Sequence, residues 1–306
     1  MYFRLENAVK FLEHHQVKFS SPTMFNDPYE CRIDFEKSMA AFEGNTSQKI
    51  TFSDIDLAEM QATWFERFKD MCITCFTEDA TNVLMWAYYA EGQKGICIEF
   101  DTNEDPLFFQ NLHRVRYKNT LETAKLINNE INYIDVILTK AKEWSHEKEW
   151  RVIREDVADG LCTINPRAIT RIIFGSKSMD FRGREALIPV YNRLFLILQR
   201  PEYGHIKFGG IACSPREYKL ECNEIPIYVL QENNHTLTLI SLKENQSFSI
   251  FKKNLDEDKY ELFYHQQNTF KFENVKFSLL PGLYRMQIGE TTTVMTLQIT
   301  DQSLNL

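Results

Sequence analysis

From about residue 227 onward the chain is a series of short runs in which apolar and polar residues alternate: Ile227-Tyr228-Val229-Leu230, Thr236 to Ile240, Phe248 to Phe251, Tyr260 to Phe263, Phe270-Lys271-Phe272, Val275-Lys276-Phe277, Leu283 to Ile288 and Val294 to Ile299. Alternation puts every second side chain on one face of a strand. Asn-Asn, Asn-Gln, Asp-Glu-Asp and Pro-Gly turn signals separate the runs every 8 to 12 residues or so, the rhythm of an antiparallel sandwich. A small C-terminal β-sandwich over 223–306 is therefore expected.

The first 222 residues mix two periods. Behind Thr120, the apolar positions Ala124, Ile127, Ile131, Ile134, Leu138 and Ala141 step by three and four, which predicts a helix over 120–141. Leu57, Met60, Trp64, Phe68 and Met71 predict another over 54–71, and Leu187, Val190, Leu194 and Leu198 a third after Asp180, with Pro189 early in it. Strands are predicted at 17–21, 72–76, 95–100, 113–117, 149–154, 171–174 and 205–212. The fold class is α+β: a mixed helix and sheet domain over 1–222, followed by the sandwich.

Composition narrows the function classes. A chain of 306 residues with a net charge of −8 has room for two domains and is a poor candidate for holding DNA or RNA by non-specific phosphate contacts, although nucleic acid stays open as a substrate. No run approaches the roughly 18 apolar residues of a membrane span, so a cytoplasmic protein without a membrane partner is expected. The seven cysteines are an odd set read as reduced and mostly structural. Cys72-x-x-Cys75 has no second half for a zinc site, and no metal is expected.

Candidate chemistry lies in segments rich in charge and aromatic rings. Asn26-Asp27-Pro28 initiates a turn, with Glu30 placed beyond it to pair with Arg4 or Arg151. In a strand, Glu147, Glu149 and Arg151 fall on one side and Lys148, Trp150 and Val152 on the other. Two carboxylates so close must be separated, paired or partly protonated. One account of them is a solvated strand edge with an internal ion pair.

Taken in order, Phe19 to Glu30, Cys75-Phe76-Thr77-Glu78, Met85 to Phe100 and Lys142 to Arg151 resemble a large bacterial domain-of-unknown-function family whose hallmarks are "fssp..fNDPfE", "CFSe", "MWahYa..hkGvcieF" and "K..W.yEkEwRi". The likeness spans about residues 2 to 175, and Tyr88 stands where the family has histidine. Leu280-Pro281-Gly282-Leu283-Tyr284 resembles a turn common in immunoglobulin-like sandwiches.

The order Arg4, Ser20-Ser21, Glu147-x-Glu149 is also similar to ADP-ribosyltransferases of the Arg-Ser-Glu type. That resemblance implies NAD as substrate and a macromolecular acceptor, protein or nucleic acid. It implies Arg4 on the dinucleotide's phosphate or ribose, Ser20 and Ser21 ordering the pocket, and Glu149 or Glu147 as the catalytic carboxylate. Asn26, Trp86, Tyr88, Tyr89 and Arg151 would complete the dinucleotide site, the aromatic rings by stacking on nicotinamide. A toxin or phage-defence effector is the setting such a build suggests.

Two alternatives stand beside it. One is a non-enzymatic protein whose aromatic pocket recognises a ligand or partner. The other is a metal-dependent nuclease holding Mg²⁺ on Asp27, Glu30, Glu99, Glu147 and Glu149.

Overall fold

The computed structural model describes residues 1–42, 53–127, 130–155, 157, 160–178, 185–231, 236–267, 269, 271, 274–288 and 292–299. The run Phe270-Lys271-Phe272 lies outside the described residues except at Lys271, as does Asp180. The chain forms two compact units, each discontinuous in sequence: Met1, His14–Met85 and Asp101–Ala168 make the first, and Tyr2–Glu13, Trp86–Phe100 and Ile169–Leu306 the second.

In chain order the elements up to residue 155 are β1 (Tyr2–Phe3), α1 (Leu5–His14), β2 (Gln16–Lys18), α2 (Phe35–Phe42), α3 (Asp54–Phe65), β3 (Met71–Thr77), α4 (Val83–Tyr89), β4 (Ile96–Phe100), β5 (Leu112–Arg114), β6 (Arg116–Lys118), β7 (Lys125–Ile127), β8 (Glu130–Asn132), α5 (Ile134–Ile137), β9 (Thr139–Ala141) and β10 (Glu149–Glu155). They continue as β11 (Leu161–Thr163), β12 (Ile169–Phe174), α6 (Ile188–Leu198), β13 (Lys207–Cys213), β14 (Leu220–Glu224), β15 (Ile227–Gln231), β16 (Thr236–Ser241), β17 (Phe248–Asn254), β18 (Lys259–Gln266), β19 (Asn274–Ser278), β20 (Gly282–Ile288) and β21 (Thr292–Ile299). The α+β class read from the sequence is the class observed.

In the first unit, β10 lies between β3 and β5, antiparallel to both, with Glu149 opposite Thr77 and Arg151 opposite Cys75. Ser20 forms a single bridge to Ile73, so the serine segment borders β3 on its far side from β10. Trp64, Phe68, Ile73, Val136, Ile137 and Ile153 pack into this unit's core with Cys31 and Ile33, and the Trp64 indole N–H donates to the Cys31 carbonyl at 2.8 Å. Burying a large apolar side chain this way is worth about 1.5 to 3 kcal/mol.

The helix predicted over 120–141 does not form. That stretch folds as β7, β8, the single turn α5 and β9. The register pairs Leu126 with Ile131 and Ile127 with Glu130, antiparallel, so the stretch is built as a strand pair. In the sequence, Asn128-Asn129 is a poor helix former. Three of the six residues at the apolar step of three and four are isoleucines, whose β-branching suits strands as well. The helix predicted over 54–71 is shorter too, because Met71 already begins β3.

In the second unit, β1, β4, β12, β13 and β14 form one sheet in that order. β12 and β13 are parallel, and α6 makes the crossover between them. Leu5, Ala8, Val9, Phe11 and Leu12 form the buried stripe of α1, and its last carbonyls are taken by Tyr203 Oη and Arg200. The two sheets β15-β16-β19 and β18-β17-β20-β21 share a core of Leu239, Phe248, Ile250, Phe277, Tyr284 and Met286, which is the expected sandwich.

The boundary expected at 222/223 falls inside β14, a strand paired with β13. Just beyond it, Tyr228 is fully buried against Phe174, Tyr191 and Phe195, at ring-centre distances of 4.6, 5.6 and 5.1 Å. Its hydroxyl donates to the Ser178 carbonyl at 3.1 Å.

Candidate functional site

The site grows out of one end of β10. A short 3-10 segment (Lys142–Glu147) delivers Glu147, and Lys148 then takes a left-handed backbone with φ of 45° before the strand begins at Glu149. That turn resets the alternation, yet Glu147 and Glu149 still share a cation: Lys140 Nζ on β9 donates to Glu147 Oε2 at 2.6 Å and to Glu149 Oε2 at 3.2 Å. Lys140 also lies 4.8 Å from the Trp144 ring centre.

One residue pair further along β10, Arg151 is fully enclosed. Its Nη1 and Nη2 donate to Glu30 Oε1 and Oε2 at 2.6 and 3.1 Å, and its Nε to Glu149 Oε1 at 2.8 Å. Nη1 also reaches the Ile137 carbonyl, and the Phe25 ring lies 5.3 Å from the guanidinium carbon. The planar fork of arginine suits this two-sided bidentate task, which an ammonium would not fill.

A second left-handed residue, Cys31 with φ of 56°, follows Glu30, so both carboxylate-bearing turns carry a non-glycine residue in that region. Such backbones cost about 1 to 2 kcal/mol each and persist only where the surroundings enforce them.

The electrostatics separate the carboxyls. Burial alone would raise Glu149, but Arg151 and Lys140 outweigh it and hold its carboxyl down at about 2, ionised at neutral pH. For Glu30, burial outweighs Arg151 and lifts the carboxyl above its usual value. Burial would lower the Lys140 ammonium, yet Glu149 and Glu147 raise it well above its ordinary value. The Glu149 amide donates to Tyr117 Oη at 2.8 Å, and burial pushes that phenol up to about 12. Burial also pushes up the Cys75 thiol, which bonds to the Glu149 carboxylate, so it is a neutral donor and no nucleophile.

Of the residues singled out from the sequence, Glu30, Glu147, Glu149 and Arg151 are brought together in the first unit. Ser20, Ser21, Asn26 and Asp27 belong to the same unit with local tasks: Ser21 caps the turn Pro22–Met24 and donates to the Phe68 carbonyl, and Asp27 Oδ1 accepts the Tyr29 amide at 2.9 Å. Asn26 is exposed.

Arg4, Trp86, Tyr88 and Tyr89 belong to the second unit. Arg4 is exposed between β1 and α1. Trp86 is fully buried with its ring edge-to-face on Tyr2, centres 5.0 Å apart, which is a core position with no face open for stacking. Tyr88 is exposed and Tyr89 half-buried.

Lys140 and Tyr117 were not singled out from the sequence, and Cys75 only as half of a CxxC pair and as the start of a family-like segment. A buried acid pair demands a cation, but Lys140, Lys142 and Lys148 are equal candidates in the sequence. Only the parallel pairing of β6 with β9, which sets Tyr117 beside Lys140, selects among them. Among the described residues no group of three or more His, Cys, Asp or Glu is placed to hold a metal ion, so the nuclease alternative has no ligand set there.

A family model described as a protein of unknown function (DUF2971) matches residues 85–152. The match supports a domain-of-unknown-function family. It runs from α4 through Arg151 and so takes in Tyr117, Lys140, Glu147 and Glu149, whereas Glu30 lies outside it. No curated protein and no solved structure matches the chain. No helix among the described residues is long and apolar enough to cross a membrane.

Proposed function

We propose that the protein is an NAD-dependent ADP-ribosyltransferase-like enzyme in which Glu149 steadies the sugar cation formed as nicotinamide departs. The observation that carries this reading is the geometry at the head of β10, where Arg151 Nε and Lys140 Nζ donate to the Glu149 carboxylate at 2.8 and 3.2 Å. Their charges hold that carboxyl below its ordinary value. In that reaction the bond from ribose C1′ to the nicotinamide nitrogen breaks, its electron pair leaves with nicotinamide, and positive charge spreads over C1′ and the ring oxygen. A carboxylate that is already charged and held in place stabilises that state without reorganising. The acceptor then bonds to C1′ and loses a proton, for which Glu147 is the second carboxylate.

The order of elements supports the same reading: Arg4 follows β1, α1 intervenes, Ser20 follows β2, and Glu149 opens β10 with Glu147 closing the 3-10 segment just before it. Ser20, Ser21 and Asn26, in the same unit as Glu149, are the groups for the dinucleotide. Arg151 acts through the carboxylates it holds. The acceptor is a protein or nucleic acid, in the manner of a cytoplasmic toxin or phage-defence effector.

The test is incubation with labelled NAD⁺, with and without EDTA. Wild type should release nicotinamide in both, and Glu149→Gln should lose turnover by at least about 100-fold, the scale of one transition-state electrostatic contact. Burial favours one other reading: Glu147 and Glu149 are 3% and 4% exposed, as befits the scaffold of a non-enzymatic ligand-recognition protein. Absence of nicotinamide release with every acceptor tried, together with no dinucleotide binding by calorimetry, would select it.

A further inference from the structure

At one end of the five-stranded sheet in the second unit, every strand meets a cation. Phe3, the last residue of β1, lies opposite Ile96, the first of β4, and Ile96 lies opposite Phe174, the last of β12. β13 runs parallel to β12 past Gly210, opposite Phe174, to Cys213, which pairs with Leu220 at the start of β14. Just beyond these ends stand Arg4, Lys94, Lys177, Arg216 and Lys219. The acids in the same connections are Glu6, Glu91 and Glu217, and Glu217 pairs with Lys219 at 2.7 Å. Arg4, Lys94 and Arg216 have no ion pair among the described residues. A chain of net charge −8 thus carries a local cationic patch.

The three connections nearest β4 are locked together by their backbones. The Gly175 amide donates to the Gly95 carbonyl at 3.1 Å and the Lys177 amide to the Gln93 carbonyl at 3.0 Å, while Ser176 Oγ donates to Gln93 Oε1. A Cβ on Gly95 would collide with the Phe3 carbonyl, and one on Gly175 with the Gln93 carbonyl, so only glycine permits this approach. Arg4, Lys94 and Lys177 therefore leave from one fixed knot of backbone, which needs no ordering when a ligand arrives. The connection from β13 to β14 adds a ring. Tyr218 stands between Arg216 and Lys219 with its side chain wholly exposed. Cations that take phosphates beside an aromatic face that takes a base are the two parts of a single-strand site. An acidic peptide would use the charges and leave the ring idle, and a membrane surface calls for more apolar area than one tyrosine offers.

We infer that this end of the sheet is a binding surface for single-stranded nucleic acid, with Arg4, Lys94, Lys177 and Arg216 on phosphates and a base stacked on Tyr218. Five strands at roughly 4.8 Å spacing make the surface about 19 Å wide, enough for several phosphates. The patch lies wholly within the second unit and needs no glycosidic chemistry, so it goes beyond the transferase reading.

Fluorescence anisotropy of the full chain with a labelled 12-nucleotide oligothymidine tests it. Saturable binding is expected, with a log–log salt slope of about −2 to −3, the size for three or four phosphates of a single strand. Lys177→Gln and Arg216→Gln should each weaken binding roughly three- to tenfold and reduce the slope by about 0.7. Tyr218→Ala should weaken it about fivefold or more at an unchanged slope, the signature of a lost stack. Lys259→Gln, on β18 away from this sheet end, should bind like wild type. All four side chains are exposed, so unchanged melting curves check that the fold is kept. No saturable binding at low salt, displacement by polyglutamate as readily as by unlabelled strand, binding to phosphatidylserine vesicles in place of the strand, or full binding by Tyr218→Ala would each overturn the inference. None of these readouts involves nicotinamide release, so this surface and the transferase reading fail separately.

Discussion

Arg151 Nη1 lies 2.6 Å from Glu30 Oε1, although the two residues are 121 positions apart in the chain. The same guanidinium binds Glu149, so one enclosed cation joins the turn after Asn26-Asp27-Pro28 to the head of β10. Removing one partner of a buried pair leaves the other charged and desolvated.

Arg151→Leu should therefore destabilise the protein by about 3 to 5 kcal/mol, because it strands both Glu30 and Glu149. The double variant Arg151→Leu with Glu30→Gln should recover part of the loss. Urea denaturation of the single and double variants measures this, and equal losses in both would contradict the pairing.

Glu30 and Glu149 share Arg151 yet shift in opposite directions from the ordinary 4.5: Glu30 is raised and Glu149 is lowered to about 2. The lowered carboxyl contributes stability that is present above about 4.5 and is lost as pH falls toward 2, worth about 3 kcal/mol. The raised carboxyl contributes in the other sense: its contribution is full below about 4.5 and is lost as pH rises through its folded value. Denaturation midpoints across this range should form a dome peaking in mild acid. Glu30→Gln should flatten its upper limb, and Glu149→Gln its lower one.

Lys148 sits at φ of 45° between the two glutamates, and its Nζ meets Asp79 Oδ2 at 3.0 Å on the surface. An exposed pair of this kind contributes about 0 to 1 kcal/mol, and the left-handed backbone costs a non-glycine residue about as much. Lys148→Gly is expected to be neutral or stabilising by up to about 1 kcal/mol, while Lys148→Val, β-branched, should destabilise by more than about 1 kcal/mol. Thermal melting separates the two, and equal behaviour would deny that backbone strain is held there.

Tyr228 closes the space between Phe174, Tyr191 and Phe195. Tyr228→Ala should cost about 3 to 5 kcal/mol, the scale of a large aromatic removed from a core. A fragment ending at Cys222 should expose the same apolar surface and bind a hydrophobic dye. Limited proteolysis yielding a stable, dye-silent fragment that ends near Asn223 would show that the segment before 223 stands without Tyr228.

Local chemistry was enough to read the strands β3, β4, β10 and β12 and the alternating runs of the sandwich, since alternation is imprinted residue by residue. The turn at Asn26-Asp27-Pro28 and Arg151 as one of two candidate mates for Glu30 were legible; the burial of Glu147 and Glu149 was not, since their spacing suits a solvated strand edge equally well. Over 120–141 the local signal misled, because isoleucines at helical spacing serve strands equally well.

What only the tertiary structure decided was the choice of partners. Among Arg4 and Arg151 as mates for Glu30, and among Lys140, Lys142 and Lys148 as the cation for Glu147 and Glu149, the sequence offers equal chemistry at unequal distances along the chain. The pairing of β6 with β9 and of β10 with β3 fixes which side chains share an enclosed space. Burial then does what spacing cannot: it makes an unpaired charge expensive, so Arg151 and Lys140 are held to Glu149 and Trp86 is spent on the core.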